Sequence, residues 1–370
     1  MRLSPFKIEE YYAKHEFSAK YMLSSSDSQT RSVAEILNLE PDARARFEAI
    51  QLGYTETIGG FDLRRAISSI YSTTQPDQVL VLSNAEEGIF VLYNALLAAG
   101  DHAIIETPCF NSALEVAKAT GADVSEWQLH FDDNWQHDLA ALEKLIRPNT
   151  KLMYICTPHN PIGRVMPRAI FEALIDLAAS RQIIIFCDEV FRELEHDPKN
   201  RLPAISDAYE HGVSLGSVSK SYGLPGLRLG WYATRDQAIF TKALAFKNYT
   251  TICASAPSEF LAALALRHRQ VLLQRNLEIV QRNLPLLEAF FTRYSSLFSY
   301  VAPTGSPMVF PKVHLPNVEA FCERVVQEIS VLLLPGSTYD QPHHARFGFG
   351  RSNLPEALGL LEAFVQKGDF

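Results

Sequence analysis

The chain is short of cysteine: of 370 residues only five are Cys, at 109, 156, 187, 253 and 322, and no two form a Cys-x-x-Cys pair. That spacing argues against a zinc site and against a disulfide framework. Reduced cysteines suit the cytoplasm, and Cys156 and Cys187 sit in apolar runs as core thiols do. Positive charge is not in excess either. Thirty-four Lys and Arg face forty-two Asp and Glu, a formal charge of −8, so bulk charge offers no footprint for nucleic acid. No apolar run approaches the roughly 20 residues of a membrane span. The start, Met1-Arg-Leu-Ser-Pro-Phe6, has no apolar signal region. No Gly-x-Gly-x-x-Gly follows the first strand, which disfavours a nicotinamide dehydrogenase. No internal repeat or low-complexity tract is present.

What the chain does have is a long strand–helix alternation. Strands read at Gln78–Ser83, Ala103–Glu106, Ala122–Gln128, Lys151–Cys156 and Ile183–Cys187. Helices between them read at Glu86–Ala99, Ser112–Thr120, Asp138–Ile146 and Pro167–Ala179, the first two closed by Gly100 and Gly121. Such alternation predicts an α/β fold, a mostly parallel sheet with helices on both faces. The apolar run Ile183–Cys187 lacks alternation, as a strand covered on both faces does. In the second half of the chain the character changes, with a border at Thr250–Ser258. Helices at Asp236–Lys247 and Ala256–Phe290 (the second broken near Arg267–Gln270) lead into a smaller α+β unit. Its strands read at Met308–Val313, Val331–Leu334 and Ala345–Gly350. We therefore expect a large domain over 45–255, and a small domain from 1–44 with 256–370. In the N-terminal part Ile8–Tyr21 has helical spacing, and Ser24-Ser25-Ser26-Asp27-Ser28 reads as a solvent-exposed loop.

Ligands of parallel sheets bind beyond the carboxyl ends of the strands. There the sequence places Asn84 and Ala85, then Phe110, then the turn Thr157–Gly163 with Asn160, then Asp188, then Lys220. Lys220 lies between a strand and a loop broken by Gly223, Pro225, Gly226 and Gly230. Burial there would lower its pKa and make it a usable amine nucleophile. Ser217, Ser219 and Arg228 suit a phosphate beside that amine, and backbone amides opening a helix at Ala85–Glu86 could cradle the same group. An amine beside a phosphate is what pyridoxal phosphate requires; a strand end with a stray lysine is the plainer alternative. Adjacent carboxylates Asp188 and Glu189 point to opposite faces of a strand, so they do not make a metal site. His343 and His344 read as exposed.

The run Ser217-Val-Ser-Lys-Ser-Tyr-Gly-Leu-Pro-Gly-Leu-Arg-Leu-Gly-Trp231 resembles the class I/II aminotransferases, enzymes of the fold-type I pyridoxal-phosphate group. Asn160-Pro-Ile-Gly163, Asp188-Glu-Val-Phe191, Leu334-Pro-Gly-Ser337 and Arg346-Phe-Gly-Phe-Gly350 match the family's other landmarks in order and spacing. The resemblance spans about residues 50–350. It implies pyridoxal 5′-phosphate as cofactor and amino transfer between a small amino acid and a 2-keto acid. Lys220 would form the Schiff base and move protons at the substrate α carbon, and Asp188 would pair with the pyridinium nitrogen. Asn160 would bond the ring's phenolic oxygen and also meet substrate, Phe110 would stack on the ring, and Ser217, Arg228 and the amides of Ala85 and Glu86 would hold the phosphate. Arg346 would grip the substrate α-carboxylate. Tyr54 would reach the phosphate of a neighbouring subunit, implying a homodimer with shared sites. Neither nucleic acid nor membrane is an expected partner, and a role as the effector-binding part of a regulator is disfavoured by the acidic charge. Two positions depart from the family pattern: Phe191 where tyrosine is frequent, and Asn84 where glycine is frequent. The runs Ile8–Tyr12, Ala19-Lys20 and Ser24–Ser26 also resemble capreomycidine-forming cyclases of specialised metabolism, so lyase or cyclase chemistry is the alternative reaction.

Overall fold

The computed structural model describes residues 2–368. Its centre is a seven-stranded sheet: β1 (Val79–Leu82), β2 (His102–Thr107), β3 (Asp123–Gln128), β4 (Thr150–Cys156), β5 (Ile184–Asp188), β6 (Gly212–Ser217) and β7 (Gly230–Ala233), in the order β1-β7-β6-β5-β4-β2-β3. Only β7 runs antiparallel to its two neighbours; the other pairings are parallel. The expected helix-covered parallel sheet is therefore present.

Side-chain alternation explains the apolar strands. Leu152, Tyr154, Cys156 and Phe186 enter one buried cluster, while Met153, Ile155, Ile185 and Cys187 enter another on the opposite face. Both faces are dry, so polar alternation has no use there. The helix Ala85–Leu96 comes close to the sheet through Gly88. A Cβ there would sit 2.6 Å from Leu215 Cδ1, so a larger residue would have to push that side chain aside.

A smaller domain carries two antiparallel sheets. One pairs β8 (Phe298–Ser299) with β10 (Lys312–Val313); the other orders β11 (Leu334–Pro335), β12 (Ala345–Gly348) and β9 (Met308–Val309). Its core gathers Leu23 with Phe291, Phe298, Phe321, Phe347 and Leu361. The long helical segment breaks where expected, between Ala256–Arg267 and Arg269–Arg293.

Several expectations need correcting. The segment read as one strand, Met308–Val313, is two short strands interrupted at Phe310-Pro311, since proline cannot donate to a ladder. The N-terminal helix is Lys7–His15, shorter than its pattern. The serines at 24–28 are not an exposed loop. All five residues of Ser24–Ser28 are buried. They thread beside glycines that leave them room: a Cβ on Gly348 would lie 1.8 Å from Ser25 O, and one on Gly350 2.7 Å from Asp27 O. His344 is buried as well, stacked on Phe310 with ring centroids 5.0 Å apart; His343 alone is exposed.

Candidate active site

Strands β6, β5, β4 and β2 are consecutive in the sheet, so the loops leaving their carboxyl ends meet. They line one cavity of about 350 Å³. Asp188 closes β5, Asn160 lies in the turn after β4, Phe110 follows β2, and Ser217 with Lys220 follows β6; all reach this cavity. Asn84, Ala85 and Glu86, opening the helix after β1, form another wall, and Arg228 a third. Gly230 makes that approach possible: a Cβ there would lie 2.7 Å from the Asn84 carbonyl carbon.

Asp188 is buried and held at both oxygens. Oδ1 accepts from the Val190 amide at 3.1 Å and Oδ2 from the Tyr154 hydroxyl at 3.2 Å. Burial pushes its carboxyl up to about 6, against the opposing pull of those two bonds and of Lys220. Glu189 points elsewhere, accepting from the Ile205 amide at 2.7 Å. Lys220 Nζ donates to Ser26 Oγ at 2.7 Å. Burial lowers the pKa of this amine, and the Asp27 carboxylate acts the other way. Phe191 is buried, and Nζ stands 6.0 Å from its ring centroid.

Ser217 Oγ accepts from the Ser219 amide at 3.0 Å and lies 2.9 Å from the Ser219 hydroxyl. Arg228 takes a left-handed backbone, φ +48°, and donates to Pro225 O at 3.1 Å. Asn84 is the N-cap of the helix Ala85–Leu96, its Oδ1 accepting from the Glu87 amide at 2.7 Å. This accounts for asparagine where the family often has glycine: its φ of −169° needs no glycine. Glu86 brings more than its amide. Its carboxyl lines the cavity, accepts from Ser112 Oγ at 2.9 Å, and is pushed up to about 7 by burial.

Arg346 is buried behind Asn160 rather than at the surface. Nη1 donates to Asn160 Oδ1 at 3.1 Å and to the Tyr339 hydroxyl. Nη2 reaches the Tyr12 hydroxyl at 2.7 Å and Ser24 O at 2.9 Å, and Nε reaches Ser24 O at 3.0 Å. All five donors of the guanidinium thus have acceptors. Tyr339 also donates to Asn160 Oδ1, at 3.1 Å. Those contacts fix the Asn160 amide and leave its NH₂ group as the free donor.

Arg346 does not line the cavity itself and reaches it only through Asn160, and Tyr54 is not gathered at all. It is 95% exposed and does not line the cavity of its own chain. Sequence reasoning missed Ser26, Tyr12, Tyr154 and Tyr339. Tyr154 was hidden in an apolar strand; Ser26 meets Lys220 across 194 positions, Tyr12 meets Arg346 across 334, and Tyr339 meets Asn160 across 179, though it also meets Arg346 seven positions on.

The donor set fits pyridoxal phosphate. A buried carboxylate suits a pyridinium nitrogen, an oriented amide suits a phenolic oxygen, and an aromatic face suits the ring. Hydroxyls, an arginine and a helix N-terminus suit the phosphate, with an amine between them. The cavity is of ordinary small-molecule size.

Comparison with known proteins identifies the class. The family model "Aminotransferase class I and II" matches residues 20–359, and the chain belongs to that family. Capreomycidine synthase of Streptomyces vinaceus is 29% identical over 360 residues, covering 96% of this chain and 92% of that protein. Aspartate aminotransferase of Thermotoga maritima is 29% identical over 338 residues, 88% of each. Among solved structures, a PLP-dependent aminotransferase from Streptococcus suis superposes with a TM-score of 0.94 at 31% identity, with both chains fully covered. The PLP-dependent cyclase OrfR gives 0.91 at 28% identity, covering 99% of this chain and 98% of that one. Pyridoxal 5′-phosphate is thus the cofactor of the fold.

Proposed function

We propose that the protein is an aminotransferase that moves an amino group between a small amino acid and a 2-keto acid. The observation that carries this reading is the meeting of Lys220, Asp188 and Asn160 in one cavity, with Arg346 bonded to Asn160 behind it. When bound, pyridoxal phosphate supplies an aldehyde and a ring that can hold the electrons of a broken Cα bond. The chain's residues do the rest. Lys220 would carry the cofactor, and its free amine would move the proton at the substrate Cα. The Asp188 carboxylate keeps the ring nitrogen protonated. Asn160 offers its NH₂ group to the phenolic oxygen and Phe110 covers the ring face. Ser217, Arg228 and the amides of Ala85 and Glu86 hold the phosphate, and Arg346 orients the substrate carboxylate.

The site belongs to a homodimer in this reading. Leu52, Tyr54, Tyr249 and Ile252 are large apolar side chains left exposed on two segments of the cofactor domain; a second copy would cover them and bring Tyr54 to the neighbouring phosphate. The five unpaired cysteines accord with a cytoplasmic protein. In the same reading the large domain spans 45–255 and the small domain joins 1–44 to 256–370.

Similarity to a synthase and a cyclase over almost the whole chain supports a second reading, elimination or cyclisation at the same cofactor. An amino-acid panel separates the two. Keto-acid products with a matching aminated cofactor support transamination; consumption of amino acid that never yields either one overturns it.

A further inference from the structure

The buried run Ser24–Ser28 touches both ends of the site. Ser24 O takes two bonds from Arg346, at 3.0 and 2.9 Å. Ser26 Oγ accepts from Lys220 Nζ at 2.7 Å. Asp27 is paired with Arg351 Nη2 at 3.0 and 3.1 Å and accepts from Ser25 Oγ. The run is fixed on either side by backbone: Gly348 N donates to Leu23 O at 2.6 Å and Gln29 N to Gly350 O at 2.9 Å. It also passes Gly223, where a Cβ would lie 2.5 Å from Gln29 O. A hydroxyl on so confined a backbone has few places to go.

We propose that Ser26 is a positioning residue for the Lys220 amine, holding Nζ in place whenever that amine is not joined to the cofactor. The proposal rests on Lys220 being the cofactor lysine. A lysine side chain has about 2 kcal/mol of rotamer entropy, and a free amine loses reactivity when it samples many orientations. Ser26 selects one, facing the cavity. The step it serves is capture of the aldehyde. The amine nitrogen adds to the aldehyde carbon, a carbon–nitrogen double bond forms, and the carbonyl oxygen leaves as water with the two amine hydrogens.

The charges facing Nζ come from several elements: Asp27 beside Ser26, Asp188 at the end of β5, Arg346 on β12 and Arg228 beyond β6. Glu16, at the end of the N-terminal helix, feels Lys220 as well. By accepting from the amine, Ser26 favours its charged form, so its removal should also ease deprotonation.

The test uses apoprotein and pyridoxal 5′-phosphate, with the visible absorbance followed by stopped flow from neutral to alkaline pH. Ser26→Ala is expected to lower the alkaline plateau rate about tenfold, the worth of one well-placed hydrogen bond, and to move the midpoint to lower pH. Ser26→Thr, which keeps the hydroxyl, should restore most of the rate. A Ser26→Ala protein with wild-type plateau and midpoint, and an unchanged urea midpoint, overturns the proposal. If Ser26→Ala does not fold, Ser26→Cys is measured with the same two outcomes. No substrate is involved: a chain that captures cofactor in a Ser26-dependent way but forms no keto acid refutes the transaminase reading and leaves this one standing.

Discussion

Two side chains set the chemistry of the cavity by what they cannot do. Phe191 has no hydroxyl to donate toward a ring oxygen. A donated bond there would stabilise the anionic oxygen and ease loss of the neighbouring imine proton. The reconstituted enzyme should therefore keep its protonated visible band to higher pH than a Phe191→Tyr variant does; coincident spectral titrations would refute this. Asp188 cannot ionise without cost in the apoprotein. Burial raises its pKa from an ordinary 3.8 to about 6. The folded state holds this proton to higher pH than the unfolded chain does, so stability is lost as pH rises through that window. A displacement of this size is worth about 3 kcal/mol as an upper bound. Asp188→Asn removes this titration. The variant apoprotein should gain urea resistance over wild type at about pH 8 and little at about pH 4. Cofactor binding should reverse the ranking, because only the carboxylate answers a pyridinium.

At the scale of elements, the helix Ala85–Leu96 carries one wall of the site on its N-cap. Asn84→Ala should cost about 1 kcal/mol of stability and weaken cofactor retention, whereas Asn84→Gly should cost only a few tenths. Denaturant midpoints and cofactor dialysis rates check both. The strands and helices that build this wall were legible in the sequence because their periods are local. Glycines and prolines punctuate them; the strand order, with β7 antiparallel between β1 and β6, was not read from the sequence. Lys220, Asp188, Asn160 and Phe110 were legible for the same reason, each lying at or just beyond the carboxyl end of a strand. The serine run was not. Five polar residues without periodicity look like a surface loop, and only glycines more than 190 positions away, at 223, 348 and 350, make room to bury them. Nor did sequence indicate that Arg346 would be bonded to Tyr12, a contact spanning 334 positions.

For the whole molecule, the exposed Tyr54 gives the dimer reading a sharp consequence. If each site borrows that phenol from its neighbour, inactive chains can repair one another. Lys220→Ala and Tyr54→Ala chains, denatured together and refolded, should form mixed dimers with one wholly intact site. Activity should rise above that of either parent alone, and sedimentation should give the mass of two chains. A monomer in sedimentation, or no recovery on mixing, would show each cavity to be self-sufficient.

The guanidinium of Arg346 waits with no vacancy. If the substrate carboxylate binds there, as proposed, it does not fill an empty seat; it displaces a backbone carbonyl or a phenol, and the guanidinium keeps its own count of hydrogen bonds. What the trade gains is charge against charge, in a site where the arginine's only partners were neutral. Selectivity then works as an exchange threshold. Acetate, which offers nothing except the trade, should compete weakly. An amino acid would link the trade to capture of its nitrogen in the same cavity, and should win where acetate does not.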